Sequence, residues 1–199
     1  HEMPFENDGV ISWELMVERM NSYRGNTLGN LVNRTSSMTN KYCGGTVTDK
    51  GAAEEVDADL KAVTENMPKA VEKKMEDLRV ADAITEVFTL FKRCNKYIDE
   101  TTPWALAKDE AKKDRLAEVL YNLTESITIG ASLLAPFMPE TAEKIVAQLC
   151  TSLRDEAALD TFGTYESGTK VTDNPQILLA RLVVEKPMEK VNELMESKK

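Results

Sequence analysis

The sequence predicts an all-α fold: an antiparallel helical bundle with a short extended C-terminal tail. Three observations carry this reading. Several segments repeat apolar residues at i, i+3 and i+4, so each helix has one apolar face. The links between them are short and hold Gly or Pro breakers. After residue 150 the helical period stops, and Gly, Pro and β-branched residues take over. Helices with one apolar face and short links pack as antiparallel neighbours. At 199 residues, about 70% of the unfolded chain's surface can be buried, so a core needs neither a disulfide nor a metal.

Residues 1–11 read as a lead-in segment. His1-Glu2-Met3 are set aside as a cloning remnant, and Asn7-Asp8-Gly9 mark a turn. Ser12 is a good N-cap for a first short helix reaching about Tyr23. Arg24-Gly25 weakens it, and a second helix starts near Asn26. Leu28, Leu31, Val32, Thr35, Met38 and Tyr42 form its buried stripe, and Gly44-Gly45 ends it. A loop then leads to a third helix with the stripe Val56, Leu60, Val63, Met67, Val71, Met75 and Leu78. Pro68 should kink it or divide it in two.

The fourth helix keeps its period through Val80, Ile84, Val87, Phe91, Cys94 and Ile98 until Pro103 stops it. A fifth carries Leu116, Val119, Leu120, Leu123, Ile127 and Leu134. Pro136 and Pro139 punctuate, and a last short helix spans Thr141 to about Leu149. Residues 12–150 thus form one helical domain. Residues 151–199 form a tail that is extended, with a hairpin or strand, and becomes helical or frayed from Pro187.

Charge narrows the function. The net charge of −9 argues against a general nucleic-acid binder, and no DNA partner is expected. The acidity is uneven. Residues 19–50 hold Arg19, Arg24, Arg34, Lys41 and Lys50 against Asp49, a local +4. Residues 91–115 hold seven basic and five acidic side chains. The three cysteines, Cys43, Cys94 and Cys150, are widely spaced and the one histidine is His1, so no metal site is expected. Unclustered thiols and no apolar run of membrane-spanning length point to the cytoplasm, with no membrane partner.

No catalytic residue is expected, because a nucleophile would lack a histidine base. Ser167-Gly168-Thr169-Lys170 lacks the glycine spacing of a phosphate loop. Two features remain. Asn26, Asn30, Asn33, Ser37 and Asn40 share one face of the second helix. They are either a polar face that bonds a neighbouring helix or amides that read base edges. Trp104, directly after Pro103, is either a core plug or a platform for an unstacked base. Arg34, Lys92, Arg93 and Lys96 could hold phosphates nearby. Together the two features suggest binding of a single-stranded RNA loop.

Three stretches then carry a resemblance: LGNLVNRTSSMTNKY (Leu28–Tyr42), NKYIDETTPWALAKDE (Asn95–Glu110) and LLAPFMPETAEKI (Leu133–Ile145). They are similar to the anticodon-binding domain of methionyl-tRNA synthetases, a class I aminoacyl-tRNA synthetase family. The likeness runs from about residue 5 to about residue 185. It implies a helical bundle that reads the CAU anticodon of methionine tRNA, with Trp104 stacking on an anticodon base and Asn33 contacting the anticodon. Many members add an arginine one turn later. That position here is Ser37, which leaves Arg34 and Lys96 as neighbouring candidates.

The family's nucleotide signatures are expected in a catalytic domain preceding Pro4. The parent would be the enzyme, coupling methionine to tRNA with ATP, while this part carries no cofactor. Residues 151–186 are expected to lean on that catalytic domain. The alternatives are the matching domain of another class I synthetase, or a helical module that binds a protein and no RNA.

Overall fold

A computed structural model describes residues 27–175, together with Glu18 and Leu178. The expected first helix, Asn26 of the polar face and the expected terminal helix lie outside the described residues. The elements are α1 (Asn30–Cys43), β1 (Thr46–Val47), α2 (Glu55–Glu76), α3 (Val80–Thr101), α4 (Pro103–Leu106), α5 (Lys113–Leu134), α6 (Pro139–Gln148) and β2 (Thr169–Lys170). The all-α expectation holds, and the helices pack around one core built on Leu31, Leu60, Phe91, Ile98, Leu123 and Ile127.

α1 ends where its pattern says it should. Gly44 and Gly45 both take positive φ, and the Gly45 N–H donates to the Thr39 carbonyl at 3.0 Å. Gly45 has no room for a side chain, since a Cβ there would stand 2.8 Å from Asn40 Oδ1. α2 starts on half of a capping box, with the Glu54 N–H donating to Asp57 Oδ2 at 2.9 Å. It continues through Pro68 as one helix, so the proline does not divide it.

α5 departs from the expectation that each helix has one apolar face. Every residue from Arg115 to Leu134 is buried. α2, α3, α1, α6 and the tail surround it, and its polar positions are all drawn inward. Arg115 forms a two-pronged ion pair with Asp57, at 2.7 and 2.8 Å, and Tyr97 donates to the same carboxylate at 2.5 Å. Burial alone would raise the Asp57 carboxyl. The Arg115 and Tyr97 hydrogen bonds and the Glu54 N–H outweigh it and hold the group below the usual carboxylate range. Glu118 accepts from the N–H groups of Lys50 and Gly51. Glu125 accepts from the N–H groups of Gly163 and Thr164 and from Arg154. These buried carboxylates replace lost hydration with charge-assisted hydrogen bonds, and in doing so pin two loops onto the bundle.

The tail is extended, as expected, and carries one short strand, β2. From residue 151 to 173 it lies on the bundle itself. Tyr165 is buried, donates to the Leu149 carbonyl at 2.6 Å, and accepts the Tyr121 hydroxyl on its own carbonyl at 2.9 Å. β2 pairs antiparallel with β1, Thr46 opposite Lys170 and Val47 opposite Thr169. The segment expected to be a plain loop after α1 is therefore half of a small two-stranded sheet. The apolar face that the tail covers belongs to this domain, which is why it packs here.

Candidate nucleic-acid interface

The interface is built at the end of α3. Its last turn is tied down from inside, where the Thr101 hydroxyl donates to the Tyr97 carbonyl at 2.7 Å and Tyr97 itself is fixed by Asp57. Thr102 then ends the helix in the left-handed region, at φ 44° and ψ 62°, with its N–H on the Ile98 carbonyl at 3.0 Å. A β-branched residue held there costs about 1–3 kcal/mol, so the surroundings must enforce it. Pro103 is buried and opens α4 at the first helical position, where its missing N–H costs nothing. The Thr102 carbonyl closes that turn by accepting from Ala105 N–H at 2.8 Å.

The turn points Trp104 outward. Its side chain is 42% exposed, and it stands with Met75 and Leu78 as the exposed large apolar residues of the described chain. Leu78 and Met75 lie at the α2–α3 turn, far along the chain from this corner. At 42% exposure Trp104 is not a buried core plug.

α1 meets the same corner. Arg34 reaches Asp99 at 3.7 Å, and Asn95 Nδ2 donates to the Thr27 carbonyl at 3.1 Å. The first contact joins α1, and the second the segment just before it, to the final two turns of α3. Asn30, Asn33 and Ser37 are exposed on α1, beside Arg34. Asn40 belongs to the other alternative, since its Nδ2 donates to the Thr172 carbonyl at 2.8 Å and thus holds the tail. Lys96 is 72% exposed and pairs with Glu100 at 3.4 Å. Arg93 is only 11% exposed and is taken up by Asp59 at 2.6 Å and Glu100 at 2.9 Å, which makes it a bundle contact.

Two further residues shape the corner without having been singled out in the sequence. Asp99 pairs with Arg34, a contact between distant parts of the chain that no local pattern marks. Thr102 sets the turn, and nothing in its residue type announces a left-handed conformation. Lys108, exposed just past α4, adds a cation four residues after Trp104.

The exposed surface of α1 and the end of α3 thus offers an aromatic face at Trp104, neutral amides at Asn30 and Asn33, and cations in weak pairs at Arg34 and Lys96. That is the chemistry suited to an unstacked base with its phosphate.

Known proteins share both the sequence and the shape. The family profile described as "Anticodon binding domain of methionyl tRNA ligase" matches residues 47–193. The methionine–tRNA ligase of Clostridium acetobutylicum is 42% identical over 196 residues, which is 98% of this chain and 30% of that protein. The Bacillus subtilis methionine–tRNA ligase is 49% identical over 149 residues, 74% of this chain and 22% of that protein. The crystal structure of free methionyl-tRNA synthetase from Mycobacterium tuberculosis superposes with a TM-score of 0.84 at 32% identity, covering 92% of this chain and 37% of that one. The same enzyme in complex with methionyl-adenylate gives a TM-score of 0.83 at 32% identity, covering 90% of this chain and 36% of that one. The chain spans between 22% and 37% of the length of each of these proteins. It belongs to the family of anticodon-binding domains of methionyl-tRNA ligases.

Proposed function

We propose that this domain selects methionine tRNA by its CAU anticodon, and that a catalytic domain in the same parent protein attaches methionine using ATP. The single observation that carries this is the exposed Trp104 on its enforced turn after α3, the helix whose Asp99 is reached by Arg34, the neighbour of the exposed Asn33 on α1. Trp104 stacks on an unstacked anticodon base. Asn33 hydrogen-bonds a base edge, since its amide can donate and accept at once. Arg34 exchanges Asp99 for a phosphate. An ion pair with an exposed partner contributes only about 0–1 kcal/mol, so little opposes the exchange. Lys96 is a second phosphate contact, and Ser37 extends the hydrogen-bonding face where many relatives place an arginine. The methionyl-adenylate held by the Mycobacterium tuberculosis enzyme supports ATP use by the parent. A cytoplasmic location fits this role.

The test is titration of a CAU anticodon stem-loop into the protein at low salt, following tryptophan fluorescence, beside a loop with one anticodon base changed. Quenching by CAU, weakened with the changed loop and abolished in Trp104→Phe, is the expected result. Equal quenching by both loops would point to another class I synthetase or to charge-driven binding. No response at high loop concentration would remove the RNA-binding reading.

A further inference from the structure

We infer that Thr102 is a positioning residue whose enforced left-handed turn presets Trp104 in its base-stacking orientation. The inference rests on the anticodon-binding reading for its consequence, but its structural part stands without RNA.

The observation is a chain of contacts from the core to the surface. Arg115 and Asp57 are both buried and paired in two prongs. Asp57 accepts the Tyr97 hydroxyl, and the Tyr97 carbonyl accepts the Thr101 hydroxyl. The next residue, Thr102, takes φ 44° and sends its N–H to Ile98 and its carbonyl to Ala105 and Leu106. Trp104 sits within that last hydrogen-bonded turn. Among the described residues, positive φ outside glycine occurs at Leu78, Thr102 and Cys150, and only Thr102 is β-branched. A β-branched side chain narrows the turn to one geometry where glycine would allow many.

Such strain is kept where the surroundings over-determine it, and here they do: a buried ion pair below, a buried proline after it, and both backbone groups bonded. A residue suited to the conformation, glycine or asparagine, would end the helix at lower cost. Threonine trades stability for a single direction of the following ring.

Thr102→Gly separates the two effects, and Thr102→Asn serves as the conservative replacement, since Asn enters the left-handed region readily but remains restricted. Three measurements are made: thermal melting, ¹⁵N relaxation of the Trp104 indole N–H in the free protein, and the Kd for the CAU stem-loop. Thr102→Gly is expected to melt at or above the wild-type temperature. Its indole order parameter is expected to fall from the wild-type value into the flexible range, below about 0.6. If the ring then spends about a fifth of its time in the stacking orientation, the Kd rises about fivefold. Thr102→Asn is expected to keep wild-type ring order and bind within about twofold of wild type.

An unchanged order parameter in Thr102→Gly would overturn the inference, as would a melting temperature clearly below wild type. A loosened ring with unchanged Kd would overturn its link to binding. If the wild-type protein fails to bind the loop at all, the anticodon reading falls, and ring order in the free protein still decides whether Thr102 positions Trp104.

Discussion

Trp104 and Asn33 make opposite demands on the chain, and both are met on the surface. Trp104 keeps 42% of its surface exposed, so Trp104→Ala should change the melting temperature by no more than a few degrees. The same change removes the stacking face, a loss of about 1–3 kcal/mol per base, or roughly 5- to 150-fold in Kd for the stem-loop. A fall in stability without a fall in affinity would place the residue in the core. Asn33 is exposed, so Asn33→Ala should leave melting unchanged. It should weaken binding to CAU by about 1–3 kcal/mol while barely altering affinity for a loop with the contacted base replaced. Exposure of these two residues was open in the sequence, because a proline-tryptophan corner and an asparagine face serve cores and surfaces alike. Register alone could not separate Asn40, which holds the tail, from Asn30 and Asn33, which are exposed. The partner of Asn40 lies at Thr172, and no local pattern encodes a contact that distant.

At the level of helices, the periods that mark α1, α2, α3 and α6 were legible, because each exposes one face to water. α5 was legible in extent and misread in environment. Its charges at Arg115, Glu118 and Glu125 look like a solvated face, yet each finds its partner in a segment far away in the chain. A buried carboxylate that takes backbone N–H groups from a loop is invisible until the loop is placed. The packing of α5 also sets a steric limit. A Cβ on Gly130 would stand 2.6 Å from a ring carbon of Phe91. Gly130→Ala should therefore destabilise by about 1–3 kcal/mol through overpacking, despite Ala's better helix propensity, as denaturant melts would show. Arg115→Ala should cost more, about 3–5 kcal/mol, by leaving Asp57 buried and unpaired. If that substitution were neutral, the Asp57 carboxylate would have to be solvated.

For the molecule as a whole, acid and salt probe different parts. The Asp57 carboxyl is held below its ordinary range in the folded state, so its contribution is fully present above the unfolded value of about 3.9. It is lost as the pH falls from there through the folded pKa, because the unfolded chain then takes up the proton first. Melting temperature against pH, compared between wild type and Asp57→Asn, should converge below about pH 4 as that contribution disappears from the wild type. A constant gap down to pH 2 would mean that Asp57 carries no such shift. Salt acts at the other end. With two or three phosphates held by Arg34, Lys96 and a neighbouring cation, log Kd for the loop should rise with log salt at a slope of about 2. A slope near zero would remove the phosphate contacts.

The pairing of β1 with β2 also orders events in time. Asn40 and Thr172, and Thr46 and Lys170, are joined across nearly the whole described chain. The helix that carries Asn33 is thus completed by a residue 132 positions further along the chain. Loop closure over such a span is slow and comes after local helix pairing. α1 should therefore dock early and lock late. Substitutions at Val171 or Thr172 should speed unfolding while leaving the folding rate nearly untouched. A nascent chain halted before β2 would carry the candidate anticodon face on a helix not yet fastened to its frame.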